Sequence, residues 1–403
     1  MLERYLQNSI QEILASRSLK YFGSALALTH VFSFWFWTNN GNLLLKYLRD
    51  PFRVCWPIYS QCYKYTFASD LMVHAILGIY GVLALTCFLA FLIKAFNSYA
   101  YPLLLFLFFF KLFIFFQDYR FMGNYHYMPL WVSIAYLFFP DKIRTTFFLI
   151  PLFYFFAGIL KFNVEWLSSV SFTKPIALSA KLLEWLCAYV PFLEMLMVWG
   201  LLSKKRLIFW FTFMQLFCFH FFSYFIVGIF YPAIMACLLT VYIFVRNFEL
   251  NFNEIKMNIL SLNKPSMVFL AAFVILQLPP FFYSGDSALT GEGRMFSLNM
   301  LDANVQCDDF IFLKYQNGQI REAPRKSLNQ LGVRINCDPL VIFAEASTYC
   351  RSEKNRPDFI DLDLGLTAKR TSDASFQKII EIRDFCKSKS WIDVAGGIHK
   401  PAH

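Results

Sequence analysis

The residues of this 403-residue chain best placed to do chemistry lie at Ala157 to Ser168, AGILKFNVEWLS. An almost unbroken apolar run from Thr146 ends there in Lys161, and Asn163, Glu165 and Trp166 follow it. An ammonium at the end of a hydrocarbon-spanning helix has two uses. It snorkels along its own stem to the headgroups, or it sits in an enclosed site and acts on a ligand. An amine enclosed by Tyr154, Phe155 and Trp166 would lose hydration, which disfavours the charged form and favours proton acceptance. Other polar groups fall within apolar runs: His30, Asp70, His74, Lys111, Glu184, Glu194 and His220. Each must pair with a neighbour or face a water-lined cavity, and an interhelical hydrogen bond is the plainer role. His30 and His74 are read as structural.

The elements that must hold these groups are membrane spans. The chain is 58% hydrophobic, with 50 Phe and only 16% charged residues, far from the range of soluble globular proteins. Acids and bases balance from Gly285 onward, so the whole formal charge of +10 belongs to the part before it. That asymmetry suits anionic headgroups and argues against a nucleic-acid partner. Apolar runs fall at 21–37, 67–93, 99–116, 127–139, 146–162, 182–202, 207–227, 229–245 and 268–283. Most approach the roughly 20 residues that cross the hydrocarbon, so the fold class is a polytopic α-helical membrane protein of about eight or nine transmembrane helices. Residues 1–20 lack the apolar core of a secretory signal and read as an interfacial amphipathic helix. Residues 21–284 form the transmembrane domain and 285–403 a small β-rich domain. Within the latter, Phe310 to Tyr315 and Gln319 to Ala323 flank Asn317-Gly318, predicting a hairpin with a type I′ turn. Phe359 to Leu366 alternates as a strand, and Asp373 to Ser388 fits helix or strand.

Lys and Arg collect at one set of loop ends, which predicts a cytoplasmic amino terminus, with Lys161 and the tail extracytoplasmic. Ten cysteines show no metal-ligand spacing, and no metal is expected. Cys55 and Cys62 in the first loop and Cys307, Cys337, Cys350 and Cys386 in the tail are candidates for disulfides, including one that ties loop to tail.

Four stretches together resemble a known family. AGILKFNVEWLS resembles the active-site stretch of vitamin K-dependent γ-glutamyl carboxylases and of the wider horizontally transferred transmembrane (HTTM) family that contains them. Gln117 to Trp131, QDYRFMGNYHYMPLW, is similar to a family segment in which Asn, His and Tyr open a helix. Asn124 and Tyr127 match, whereas His126 lies one position late and Tyr125 takes its place. Phe219 to Ala233, FHFFSYFIVGIFYPA, resembles a His followed by Gly-apolar-Phe-Pro, with Tyr231 inserted. It reads either as a broken helix whose free backbone lines a cavity or as a helical hairpin with a Gly-Pro turn. Leu289 to Leu301, LTGEGRMFSLNML, resembles the segment that opens the soluble domain, with Leu298 where Trp is expected and without a family arginine after Met300.

The resemblance implies that Lys161 is the base that deprotonates a reduced vitamin K-type quinone, with His126 as the second catalytic residue or Tyr125 in its place. It places Asn124, Tyr125, Tyr127, Glu165, Trp166, His220 and Met300 at the quinone or substrate. O2 and CO2 are the implied co-substrates, and a glutamate in an exported peptide or protein is carboxylated in the membrane, the bacterial inner membrane or its equivalent. A non-enzymatic alternative is a quinone- or lipid-binding scaffold for an exported partner. A transporter ranks third, since Asp70, Lys111 and Glu194 could line a path, but inverted repeats are missing.

Overall fold

A computed structural model describes residues 2–39, 43–50, 52–59, 62–64, 67, 69–170, 172, 176, 178–248, 259–282, 287–290, 296–298, 305–324 and 337–387. The long amino-terminal part is helical: α1 (Leu2–Ala15), α2 (Arg17–Asn39), α3 (Leu43–Arg49), α4 (Asp70–Leu92), α5 (Asn97–Gln117), α6 (Asn124–Phe138), α7 (Lys142–Leu160), α8 (Val164–Leu167), α9 (Ala180–Met195), α10 (Arg206–Val227), α11 (Phe230–Phe248) and α12 (Lys264–Gln277). Among the described residues six stretches are long and apolar enough to cross a bilayer: Asp70–Leu92, Lys94–Gln117, Lys142–Leu160, Arg206–Tyr224, Phe230–Phe248 and Lys264–Phe281. Sequence reading predicts eight or nine, and the difference has local causes. Helix α2 is long enough but carries Ser24, Thr29, His30, Ser33 and Thr38. Helix α6 has only 15 residues, and the run from Leu182 divides into α9 and a 3-10 turn at Met197–Leu202.

These segments are helices because apolar surroundings leave backbone groups no partner but their own chain. Their outer faces are apolar. Leu71, Val82, Trp185, Leu207 and Phe221 are among the large hydrophobic side chains left exposed on α4, α9 and α10. Aromatic rings fill the inside, including Phe22, Trp37, Tyr80, Tyr136, Phe147, Phe153 and Tyr242.

Contacts between loops sort the bundle into two ends. At one end Arg144 donates to the Ser261 carbonyl at 3.0 Å, Asn263 Nδ2 donates to Asp141 at 2.9 Å, and Arg246 donates to the Ser203 carbonyl at 2.5 Å. Lys142 of that end pairs with Glu12 of α1 at 3.7 Å. The opposite end carries the tail. Asp70 belongs there as well: expected inside a span, it instead opens α4 behind the Ser69 cap and meets the exposed Arg49 at 2.7 Å.

The tail contains α13 (Ser287–Thr290), β1 (Val305–Tyr315), β2 (Ile320–Glu322), α14 (Pro339–Glu353), β3 (Phe359–Arg370) and β4 (Gln377–Ile382). The strands form one antiparallel sheet in the order β2-β1-β3-β4. Ile311 and Leu313 of β1 and Leu362, Leu364 and Leu366 of β3 share a core with Ile342, Ala346 and Tyr349 of α14. Helix α14 starts on a local signal, the Asp338 side chain capping the Leu340 N–H with Pro339 in the first turn. The hairpin turn differs from expectation. Gly318 alone takes a positive φ, +78°, and donates to the Tyr315 carbonyl, so the loop is a type I turn closed by a left-handed glycine.

Disulfides join Cys55 to Cys62, Cys307 to Cys337 and Cys350 to Cys386. Each bond stays within the first loop or within the tail, so the loop-to-tail link is not formed. Packing joins loop and tail in its place. Phe52 of the first loop enters the sheet-domain core with its ring 5.5 Å from Tyr349, and Tyr119 donates to Asp338 at 3.5 Å.

Candidate functional site

Lys161 stands at the carboxyl-terminal cap of α7, its N–H bonded to the Gly158 carbonyl at 3.0 Å. Its side chain does not snorkel. The ammonium turns into the bundle, where it is 5% exposed and donates to Glu194 Oε2 of α9 at 2.6 Å and to the Ala157 carbonyl at 3.4 Å. Trp166 and Phe219 lay their rings 5.2 Å and 6.0 Å from Nζ. A buried cation is thus matched by a buried anion and faced by two π-systems, which are the conditions under which a charge survives out of water.

Gly158 makes that pairing possible. A Cβ there would lie 2.7 Å from Met195 Cγ, 3.1 Å from Glu194 Cβ and 3.3 Å from the Pro191 carbonyl. The bare Cα lets α9 approach α7 closely enough to bring Glu194 to Lys161.

Two turns before Lys161 on the same helix, Tyr154 of α7 and Nε2 of His220 on α10 share a hydrogen bond of 2.5 Å. The His220 ring also packs 5.6 Å from Tyr231, the second residue of α11. Gly228, with φ +78° and open space around it, turns the chain between α10 and α11, so this stretch is a tight helical hairpin.

His126 belongs to a neighbouring cluster. On the first turn of α6, its Nε2 accepts from Trp37 Nε1 at 3.2 Å, and rings of Phe36, Tyr125 and Phe230 surround it. Tyr125 stacks edge-on at 5.0 Å from Phe230 and is partly buried, as is Asn124 beside it. The two clusters adjoin at the start of α11, where Phe230 faces His126 and Tyr231 faces His220. A third polar seam lies deeper. Lys111 of α5 donates to Ser33 of α2 at 3.0 Å, while His30 bonds the Tyr80 hydroxyl at 2.7 Å.

Two residues expected at a ligand also hold the tail. Tyr127 donates to the Phe296 carbonyl and accepts from Gln277 Nε2 at 3.0 Å, and Gln277 Oε1 accepts from the Leu298 N–H at 2.7 Å. These bonds dock the Phe296-Ser297-Leu298 stretch onto α6 and α12. Glu165, 1% exposed, is held from the tail by Arg370 at 2.7 Å and Ser372 at 3.2 Å. Met300 and the Gly-Glu-Gly of the fourth stretch lie outside the described residues. Glu194, Gln277 and Arg370 were not singled out by sequence as partners. The one signal was for Glu194, a carboxylate within an apolar run that needed a countercharge.

The polar atoms left over suit a lipid-soluble ring compound bearing oxygens. Nδ1 of His220 and Nδ1 of His126 are buried with no hydrogen-bond partner among the described residues, each in aromatic surroundings. An oxygen of such a ring would satisfy either nitrogen, and aromatic walls accept its flat faces.

Fold and site together define a mostly helical protein with six candidate membrane helices and a disulfide-bonded four-stranded antiparallel sheet at its carboxyl-terminal side. Comparison with protein families, curated proteins and solved structures finds no match for the chain.

Proposed function

We propose that the chain is an integral membrane enzyme of the vitamin K-dependent carboxylase type, in which Lys161 is the base that acts on a reduced quinone while a glutamate of an exported polypeptide is carboxylated. The observation that carries this reading is the enclosed Lys161–Glu194 pair beside the Tyr154–His220 hydrogen bond. A bound reduced quinone, with O2 and CO2, would supply the oxidative driving force for carboxylation. The chain's own residues hold the proton. Glu194 Oε2 lies 2.6 Å from Nζ, within reach to take a proton from the amine or return it. Trp166 and Phe219 keep water from Nζ, and the Nδ1 atoms of His126 and His220 orient ring oxygens.

The loop contacts support nine passes through the bilayer, made by α2, α4, α5, α6, α7, α9 with its 3-10 extension, α10, α11 and α12. Several of these passes carry polar residues and are sheltered by their neighbours. The end that bears Lys142, Arg144, Lys204, Lys205, Arg206 and Arg246 is then cytoplasmic, and the disulfide-bonded tail extracytoplasmic.

A second reading, a quinone- or lipid-binding scaffold for an exported partner, draws on the use of Tyr127 and Glu165 to hold the tail rather than face a ligand. The test keeps a cation facing an anion across the pair, which Lys161→Ala alone would not. Exchanging the charges, Lys161→Glu with Glu194→Lys, keeps an ion pair and moves the amine to α9. Purified protein in lipid nanodiscs is assayed for quinol-dependent incorporation of labelled CO2 into peptide. The wild type incorporates label and the folded exchange variant does not. Equal turnover in the two removes Lys161 as the base, whereas partner binding without incorporation in either favours the scaffold.

A further inference from the structure

Helix α8 is a single turn of four residues, Val164–Leu167, and a helix that short does not persist without tertiary support. Three supports are visible. Asn163 caps it, accepting from the Trp166 N–H at 2.8 Å. Trp166 Nε1 donates to the Cys187 carbonyl of α9 at 3.0 Å. The third comes from the tail: both oxygens of Glu165 are engaged, Oε2 by Arg370 Nη1 at 2.7 Å and Oε1 by Ser372 Oγ at 3.2 Å.

The turn that supplies this third support is itself closed. Asp373 Oδ2 accepts from the Arg370 N–H, and the Arg370 carbonyl accepts from the Asp373 N–H, both at 3.0 Å. Next to Glu165 in the same turn of helix is Trp166, whose ring lies 5.2 Å from Lys161 Nζ. A continuous mechanical path therefore runs from the β3–β4 turn through Glu165 and α8 to the aromatic wall over the buried amine. Glu165 is nearly fully buried and Arg370 only partly so, at 1% and 16% side-chain exposure. Removing the guanidinium leaves a buried carboxylate whose charge then draws α8 toward water.

We propose that Arg370, with Ser372, is a positioning residue for the Lys161 site: the sheet domain latches α8 in place through Glu165, and that latch keeps Trp166 over Lys161 and water-borne solutes away from it. The inference builds on the role proposed for Lys161, assigning the tail the task of holding the site closed.

The test reads the amine rather than the reaction, so it stands apart from the fate of the carboxylase reading. Full-length protein in nanodiscs is treated with formaldehyde and cyanoborohydride, and dimethylation of Lys161, Lys111 and Lys142 is followed by peptide mass spectrometry. All three side chains are buried in the wild type. In Arg370→Gln the rate at Lys161 is expected to rise about tenfold or more, as for release of a locally opened unit, with Lys111 and Lys142 unchanged. The exchange Glu165→Arg with Arg370→Glu restores protection. An unchanged rate at Lys161 in Arg370→Gln overturns the proposal. So does a parallel rise at all three lysines, which would show that Arg370 supports the fold as a whole, or a failure of the exchange to protect.

Discussion

The Lys161–Glu194 pair changes what a single substitution at Lys161 reports. A buried ion pair contributes little net stability against a well-packed apolar replacement, but breaking it by removing one partner strands the other charge. Lys161→Met is therefore expected to destabilise the protein by about 3–5 kcal/mol, while Lys161→Met with Glu194→Leu recovers most of that loss. Lys111→Met is the contrast. Lys111 has Ser33 as its hydrogen-bond partner rather than a carboxylate, so that change strands no charge and should be neutral or stabilising. Thermal unfolding of the four proteins in one detergent measures all of this. An equal loss for Lys111→Met and Lys161→Met would show that neither cost reflects a stranded partner. Sequence pointed to Lys161 because a cation ending an apolar run is conspicuous. It did not point to the pairing, because Glu194 lies on another helix and no local pattern records which helices touch. For Tyr127 and Glu165 the motif gives a position but not the packing: only the docked tail shows their bonds to Phe296 and Arg370.

At the scale of elements, the close approach of α7 to α9 depends on one missing side chain. Gly158→Ala places a methyl 3.1 Å from Glu194 Cβ and 3.3 Å from the Pro191 carbonyl; Met195 can bend away, but a backbone carbonyl cannot. Overpacking of this kind costs about 1–3 kcal/mol, and here it also pries Glu194 from Lys161. A double-mutant cycle between Lys161 and Glu194 should give a smaller coupling energy in the Gly158→Ala background than in the wild type. An unchanged coupling would mean that α9 is positioned by other contacts. The Ala-Gly of the motif was visible in the sequence, but its purpose was not, since a helical glycine explains itself only when its neighbour is known. The helices themselves are legible from apolarity, least so for α6, which is short, and for the boundary of α10 and α11, which almost lacks a loop. In the tail, β1 and β3 followed from alternation. The stretch that forms α14 is assigned no element from sequence, although Asp338 followed by Pro339 is a helix-start signal. The hairpin turn went wrong by one residue, since Asn317-Gly318 suits a two-residue loop and the chain uses three.

For the whole molecule, the decisive question is which end of the bundle faces the cytoplasm, because the proposed chemistry needs Lys161 on the side where an exported polypeptide passes. The ends are distinct in kind. One gathers Lys142, Arg144, Lys204, Lys205, Arg206 and Arg246, tied together by the Arg144–Ser261, Asn263–Asp141 and Arg246–Ser203 contacts. The other holds three disulfides, the sheet domain and its docking points at Phe52, Tyr119, Tyr127 and Glu165. Positive loops stay on the cytoplasmic side during insertion, and disulfides persist where the compartment is oxidising, so two independent principles support the proposed orientation. The tip of the β1–β2 hairpin at Gly318 is exposed and tolerant of insertion, as is the short turn between Ser203 and Lys205 at the opposite end. Alkaline phosphatase, active only after export, should therefore fold and turn over when inserted at Gly318 and stay inactive when inserted at Ser203. A fluorescent protein that matures only in the cytoplasm should show the opposite pattern. Activity of the phosphatase at Ser203 would invert the bundle, place Lys161 and the tail in a reducing compartment, and remove the exported polypeptide from reach of the site.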